Sequence, residues 1–119
     1  MTRAILVPTS RVLVLVCAAA VPTARGADTP SKATLELYRS RCQQCHMADG
    51  NAPLEPMNFA DGKWTHGSTR EEVAKVIAEG VPTTAMLPFK AQLTAAQIAD
   101  LAAYVRSFDK SLKATRKTK

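Results

Sequence analysis

The residues with the most distinctive chemistry lie in the pentapeptide CQQCH at positions 42–46. Its two thiols are three positions apart, about one helical turn, so both would face the same side of a helix. Thiols in this arrangement can add to the two vinyl groups of a porphyrin, and the histidine that follows can bind the iron. We therefore predict that Cys42 and Cys45 hold one haem c covalently, with His46 as an iron ligand.

Three other kinds of site use cysteines at this spacing, and the rest of the chain favours none of them. A thioredoxin-like redox site requires strands that alternate with helices, which the hydrophobic pattern does not predict. A structural zinc site needs further ligands, and outside the motif only His66 has the typical chemistry. A structural disulfide suits an exported protein, but it does not require the adjacent histidine.

The first 26 residues are typical of a secretory signal peptide. Two arginines, Arg3 and Arg11, precede an apolar run at residues 12–21, and small residues follow before Ala27. We predict cleavage after residue 26 and location in the periplasm, with an uncleaved membrane anchor as the alternative. Cys17 would leave with the signal peptide, so the mature chain would keep only the two motif cysteines.

The formal net charge of +6 is concentrated at the two ends of the chain. Three arginines would leave with the signal peptide, and five cations lie within residues 110–119. The nearly neutral body between them excludes a nucleic-acid binder. Residues 111–119 have no apolar periodicity, which predicts a disordered basic tail. Such a tail either stays solvated or makes weak contact with an acidic redox partner or an anionic membrane surface.

Helical periodicity and capping residues predict three to four helices joined by long loops. The first runs from about Ser31 to the haem motif. The second begins at a capping box in residues 68–71 (STRE) and ends at Gly80. A later helix begins at a second capping box, residues 94–97 (TAAQ), and runs to about Phe108.

The predicted elements place several residues near the haem. Leu35 and Tyr38 lie on the face of the first helix that leads to Cys42, so both are expected in the core. Residues 47–67 form a long loop rich in Gly, Pro, Asn and Asp, and a loop of that length is expected to wrap the haem. Trp64, within this loop, would close the haem edge, bond a propionate or pack in the core.

Several residues are candidates for the second iron ligand. Met47 is adjacent to His46 and cannot reach the other face of the ring. Met86 lies forty residues after His46, beyond a complete helix, and flanking prolines keep its segment extended. We predict Met86 because haem is commonly bound by a His and Met pair. Met57, His66 and an open position are the alternatives.

Motifs along nearly the whole mature region resemble those of the bacterial class I c-type cytochromes. The similarity rests on the CQQCH motif, on Tyr38 four residues before it, and on residues 80–86 (GVPTTAM). It rests also on Leu101 and Tyr104 in an alanine-rich last helix. The resemblance implies an all-α, cytochrome c-like fold, in which the N- and C-terminal helices cross beside one covalently bound haem.

The resemblance also implies roles for individual residues. Met86 would be the axial ligand, and Tyr38 would pack against the last helix near Leu101 and Tyr104. The carbonyl of Pro53 would accept a hydrogen bond from the haem-binding histidine and fix its orientation. Thr34 replaces a glycine that is frequent at the helix crossing of this family, which predicts a looser crossing.

Taken together, these features predict a periplasmic electron carrier, and not an enzyme, with a haem domain at residues 27–110. An iron with both axial positions filled leaves no place for a substrate. The expected partners are redox proteins that donate and accept single electrons. The alternatives are a haem subunit of a larger dehydrogenase or oxidase complex, or a ligand-binding sensor or peroxidase if Met86 does not bind iron.

Overall fold

The computed structural model describes residues 29–114, which form helices and loops without a strand in that range. The predicted signal peptide and tail residues 115–119 lie outside the described residues. None of the described helices is long and apolar enough to cross a membrane. The elements are α1 (Lys32–Arg41), α2 (Gln43–His46), a 3-10 helix (Glu55–Met57), α3 (Arg70–Glu79), α4 (Ala95–Arg106) and α5 (Lys110–Ala114). The prediction of an all-α fold is confirmed.

Helices α1 and α4 begin where polar side chains cap them. The Ser31 hydroxyl accepts a hydrogen bond from the backbone N–H of Thr34 at 3.1 Å, which starts α1 as predicted. The predicted capping box of α4 is present, because Thr94 and Gln97 each bond the backbone N–H of the other. These caps satisfy backbone donors that a helix start leaves without partners.

Helix α3 begins one residue later than predicted. Its capping box joins Thr69 to Glu72, whereas the sequence pattern had placed it at Ser68 and Glu71. The sequence STREE fits the box in both registers, so the pattern alone does not choose between them. The predicted end is confirmed, because the N–H of Gly80 bonds to the carbonyl of Val76.

The core lies where α1 and α3 pack against α4. Tyr38 connects α1 to α4. The centroids of the Tyr38 and Tyr104 rings are 5.1 Å apart, and the ring planes meet at 90°. Its hydroxyl donates a hydrogen bond to the Met47 carbonyl at 2.6 Å, so burial of this phenol leaves no unpaired group. The buried cluster consists of Tyr38, Val73, Ile77, Leu93, Ile98, Leu101, Ala102 and Val105. The predicted packing of Tyr38 against the last helix is confirmed.

The buried face of α1 differs from the prediction by one position. Leu35 is 37% exposed, so its expected place in the core is wrong. Thr34 is 3% exposed and lies one turn before Tyr38, on the same face. The Thr34 and Ser31 hydroxyls bond each other at 2.8 Å, which allows a polar side chain at this buried position.

The C-terminal part of the chain continues beyond the predicted last helix. Helix α4 ends at Arg106, and α5 covers residues 111–114, for which we had predicted disorder. The buried Asp109 carboxylate accepts hydrogen bonds from the Ser111 N–H at 2.8 Å and the Ser111 hydroxyl at 2.6 Å. This cap begins α5, so the prediction of a disordered tail is corrected for residues 111–114.

Gly50 is a point where the long loop closely approaches the C-terminal segment. A Cβ atom there would lie 2.6 Å from the Phe108 ring, and the backbone φ is +71°. Gly62 has a similar φ of +75°, but its Cβ would be 3.7 Å from the nearest atom. We expect Gly50→Ala to lower the free energy of unfolding by about 1–3 kcal/mol more than Gly62→Ala does. Urea denaturation of both variants checks this, and equal losses would contradict the close contact.

Candidate functional site

The haem motif occupies the junction between α1 and α2. Cys42 is the C-cap residue of α1 and the N-cap residue of α2. Its carbonyl accepts the backbone N–H of Cys45 at 3.2 Å and that of His46 at 3.0 Å, which forms a tight turn. Both cysteines are free thiols, Cys42 half-buried and Cys45 exposed. The turn therefore holds the three side chains together, as the motif predicts.

The environment of Cys42 disfavours dithiol redox chemistry. Burial, with a smaller contribution from the neighbouring Cys45, raises the pKa of the Cys42 thiol to about 11. Redox-active cysteines in Cys-x-x-Cys motifs have a lowered pKa, because the thiolate is the attacking species. Within residues 29–114 there is also no cluster of three or more His, Cys, Asp or Glu side chains suited to a metal ion. The disulfide-exchange and zinc alternatives thus find no support here.

His46 is held in the form that binds a metal. Its Nδ1 atom lies 2.8 Å from the carbonyl oxygen of Met57. Because a carbonyl only accepts, Nδ1 must carry the proton. Burial lowers the pKa of His46, with the bond to Met57 opposing this in part, so the ring is favoured as neutral. The lone pair is then on Nε2, where an iron ligand needs it.

The acceptor for His46 corrects one expectation. The resemblance implied that the carbonyl of Pro53 would accept this bond, and the structure shows the carbonyl of Met57 instead. The reason is the 3-10 helix, in which the Met57 N–H bonds to the Leu54 carbonyl and the chain turns back. That turn brings a later carbonyl to the imidazole. The loop sequence carries no periodic pattern that would have predicted it.

Two aromatic residues of the long loop complete the surroundings of His46. The Phe59 ring stacks on the imidazole, with centroids 4.3 Å apart and an interplanar angle of 18°. Trp64 stacks on Phe59 at 5.9 Å and donates its indole N–H to Asp109 at 2.8 Å. Of the three roles expected for Trp64, packing against the core is the one that the structure shows. Phe59 and Asp109 were not predicted from the sequence, because only the folded chain brings them to this site.

Met86 lies in a segment that is closed by its own hydrogen bonds. Its N–H donates to the Thr84 hydroxyl at 3.1 Å, and its carbonyl accepts the N–H of Val81 at 2.9 Å. A Cβ at Gly80 would lie only 2.5 Å from the Met86 carbonyl oxygen, so glycine is required there. The half-buried Met86 side chain packs against the same core cluster as Cys42.

The other candidates for the second ligand are placed differently. Met47, beside the motif, is exposed with a φ of +63°. Met57 is half-buried, and its carbonyl is the hydrogen-bond partner of His46. His66 is exposed in the loop before α3. Met86 as the iron ligand stays a prediction, which is tested below.

We expect His66→Gln to leave the optical spectra of the oxidised and reduced protein unchanged. The reason is that an exposed imidazole is solvated and not held against the core. The matched variant is His46→Gln, which removes the predicted proximal ligand and should change both spectra strongly. A change to a high-spin spectrum in the His66 variant would contradict this assignment.

Comparison with known proteins agrees with this all-α fold. A family model described as cytochrome c oxidase, cbb3-type, subunit III matches residues 31–105. The structure described as KustC0563 c-type cytochrome shares 35% identity and a TM-score of 0.55, over 65% of this chain and 98% of that one. No curated protein matches the chain.

An all-helical domain with a CxxCH turn of this kind is a c-type cytochrome. The chain belongs to the c-type cytochrome family, and residues 31–105 form the domain that the family model matches. Domains of this family are typically electron carriers. The residues present fit a covalently bound haem, because two free thiols stand one turn apart beside a histidine whose Nε2 carries the lone pair.

Proposed function

We propose that the protein is a periplasmic electron carrier with one haem c, attached through Cys42 and Cys45 and ligated by His46 and Met86. The observation that carries the proposal is the hydrogen bond from His46 Nδ1 to the Met57 carbonyl. A haem bound there would supply a one-electron couple at its iron. The protein's part is to anchor the ring, orient the ligands and set their electron-donating strength.

The two proposed ligands act in opposite directions on the redox couple. The bond from Nδ1 to a carbonyl makes the His46 imidazole more basic, which favours the oxidised iron. A thioether from Met86 favours the reduced iron. With His46 and Met86 both bound to the iron, no coordination site would remain for a substrate, which would suit electron transfer and not catalysis.

The optical spectrum of the protein, produced in a periplasmic host with c-type maturation, tests the proposal. We expect haem that remains on the chain after denaturation, a red charge-transfer band in the oxidised form, and no carbon monoxide binding by the reduced form. An open position that binds carbon monoxide would support the sensor or peroxidase alternative. The mass of the mature chain tests the export step, which predicts an N-terminus at Ala27.

A second candidate function is that of a haem subunit in a larger oxidase complex. The matching family model is described as an oxidase subunit. Among the large apolar side chains that the described residues expose, Leu54 at 59% and Leu87 at 64% are the most exposed. Exposed apolar side chains can form part of a protein interface. Gel filtration of the tagged protein from mild detergent extracts of its own host would decide. Elution in a complex of fixed stoichiometry favours a subunit, and elution as a monomer favours a free carrier.

The basic end of the chain is proposed to speed docking to an acidic redox partner. Deletion of residues 115–119 removes three cations and spares Asp109, which a cut after Phe108 would remove. We expect the deletion to lower the association rate by about threefold at low salt and to flatten its salt dependence. The matched control keeps the length and replaces Arg116, Lys117 and Lys119 with glutamine. If neither variant changes the stopped-flow rate, the tail is only a solvated end.

A further inference from the structure

Three near-parallel rings extend from the iron-binding histidine into the loop, and we call His46, Phe59 and Trp64 the ring stack. The planes of His46 and Phe59 differ by 18°, and those of Phe59 and Trp64 by 11°. The centroid distances of 4.3 Å and 5.9 Å are those of contacting aromatic pairs. The orientation of each ring is therefore restricted by its neighbour.

The ring stack ends at a buried carboxylate in the C-terminal segment. Asp109 is 2% exposed, and its Oδ2 accepts the indole N–H of Trp64 at 2.8 Å. Its Oδ1 is held by Ser111, whose N–H and hydroxyl both donate to it. Because Ser111 holds one oxygen of the carboxylate, the position of the other oxygen, which accepts from Trp64, is restricted as well. The bond joins residues 45 positions apart in the chain.

Phe59 connects the Trp64–Asp109 bond to the hydrogen bond between His46 and Met57. It follows the His46 acceptor, Met57, by two residues, and its own N–H is bonded to the Gly50 carbonyl at 2.7 Å. A shift of the Phe59 ring would therefore act on His46 in two ways, through the stacked imidazole and through the adjacent Met57 carbonyl. Groups that orient a metal ligand in this manner tune both its geometry and its basicity.

We propose that Asp109 and Trp64 are positioning residues, which fix the plane of the His46 imidazole through Phe59 and keep its hydrogen bond to Met57 short. The inference rests on the proposed function, since it assigns a role toward a haem iron. It makes the C-terminal segment part of the redox site, although that segment lies outside the haem motif. Without the Trp64–Asp109 bond, the half-buried indole N–H would lose its acceptor and the ring stack would loosen.

Two variants break the bond from opposite ends. Trp64→Phe keeps an aromatic ring and removes the N–H, and Asp109→Ala removes the acceptor. The matched control is Ser107→Ala, which removes a hydrogen bond from the Ser107 hydroxyl to the Tyr104 carbonyl near the same helix end. The readouts on the haem-loaded protein are the reduction potential and the order of the haem-methyl resonances in proton NMR of the oxidised form. That order depends on the orientation of the imidazole plane, and a loss of stability alone does not change it.

We expect both variants to change the order of the haem-methyl resonances. Both should also lower the ratio of oxidised to reduced protein when the solution potential is held fixed. The ratio should fall about threefold. This is less than the roughly 10- to 100-fold loss of metal affinity or activity that follows removal of a direct hydrogen-bond partner of a metal ligand. The direction follows because a weaker bond to Met57 makes His46 less basic, which destabilises the oxidised iron. The double variant should behave like either single variant, because both remove the same link.

Unchanged potentials and methyl order in Trp64→Phe would overturn the inference, even if the melting temperature fell. An equal shift in Ser107→Ala would overturn it too, because that variant leaves the link intact. Should Asp109→Ala not fold, Trp64→Phe decides alone. If the unaltered chain carried no covalent haem, the proposed function would fall together with this inference, whereas normal haem with unshifted variants would remove the inference alone.

Discussion

Replacement of both Cys42 and Cys45 by alanine will leave a chain with no covalently bound haem. Each thiol supplies one thioether bond, and Cys42, between α1 and α2, lies about one turn before Cys45 in α2. With both removed, only axial coordination would hold the haem, and denaturation breaks that. We expect complete loss of haem staining on denaturing gels, while each single variant keeps one bond and stains in part.

The third cysteine of the chain provides the control for this result. Cys17 lies in the predicted signal peptide, outside the described residues. Cys17→Ala should therefore leave staining and yield unchanged, although it removes the same chemical group. Staining of the double variant at the unaltered level would show that the haem is not attached through the motif.

Replacement of Met86 by alanine is expected to empty the second axial position. The oxidised protein should lose its red charge-transfer band, and the reduced protein should bind carbon monoxide. The reduction potential should fall by a sizeable part of the roughly 0.8 V over which axial ligands set haem potentials. Optical titration in the presence and absence of carbon monoxide measures all three changes.

Met57→Ala is the matched control for the Met86 variant. It removes a methionine side chain of the same size and keeps the backbone carbonyl that accepts the His46 hydrogen bond. The band, the potential and the resistance to carbon monoxide should all be retained. Loss of the band in the Met57 variant, with retention in the Met86 variant, would reassign the iron ligand to the long loop.

The parts of the fold that the sequence predicts are those that local physical rules control. The buried positions of α3, such as Val73 and Ile77, recur at helical spacing, because residues three or four apart lie on one face of a helix. Glycine at position 80 predicts a helix end, since few other residues adopt its φ of +70°. The CQQCH motif is predictable from the sequence for the same reason, because its reactive side chains lie within a single turn.

The parts that the sequence did not predict depend on contacts between distant residues. The acceptor for His46 is a backbone carbonyl, and any residue of the loop could have supplied it. Asp109 lies at the end of the predicted haem domain, and the sequence around it did not indicate that it is buried and bonded to Trp64. Leu35 is exposed and Thr34 is buried on that face of α1 instead, because the hydroxyl pair with Ser31 allows threonine at the crossing.

The self-contained bonding of the Met86 segment has a consequence for local unfolding. Val81 bonds to Met86 and Thr84, and the residues between, 82–85, are exposed. Such a loop can open as a small cooperative unit, at a free energy well below that of global unfolding. A bond from the iron to Met86 would then act as a latch on this unit. Because oxidation changes the strength of that bond, the redox state of the iron would be expressed as a change in the hydrogen-exchange rate of the segment.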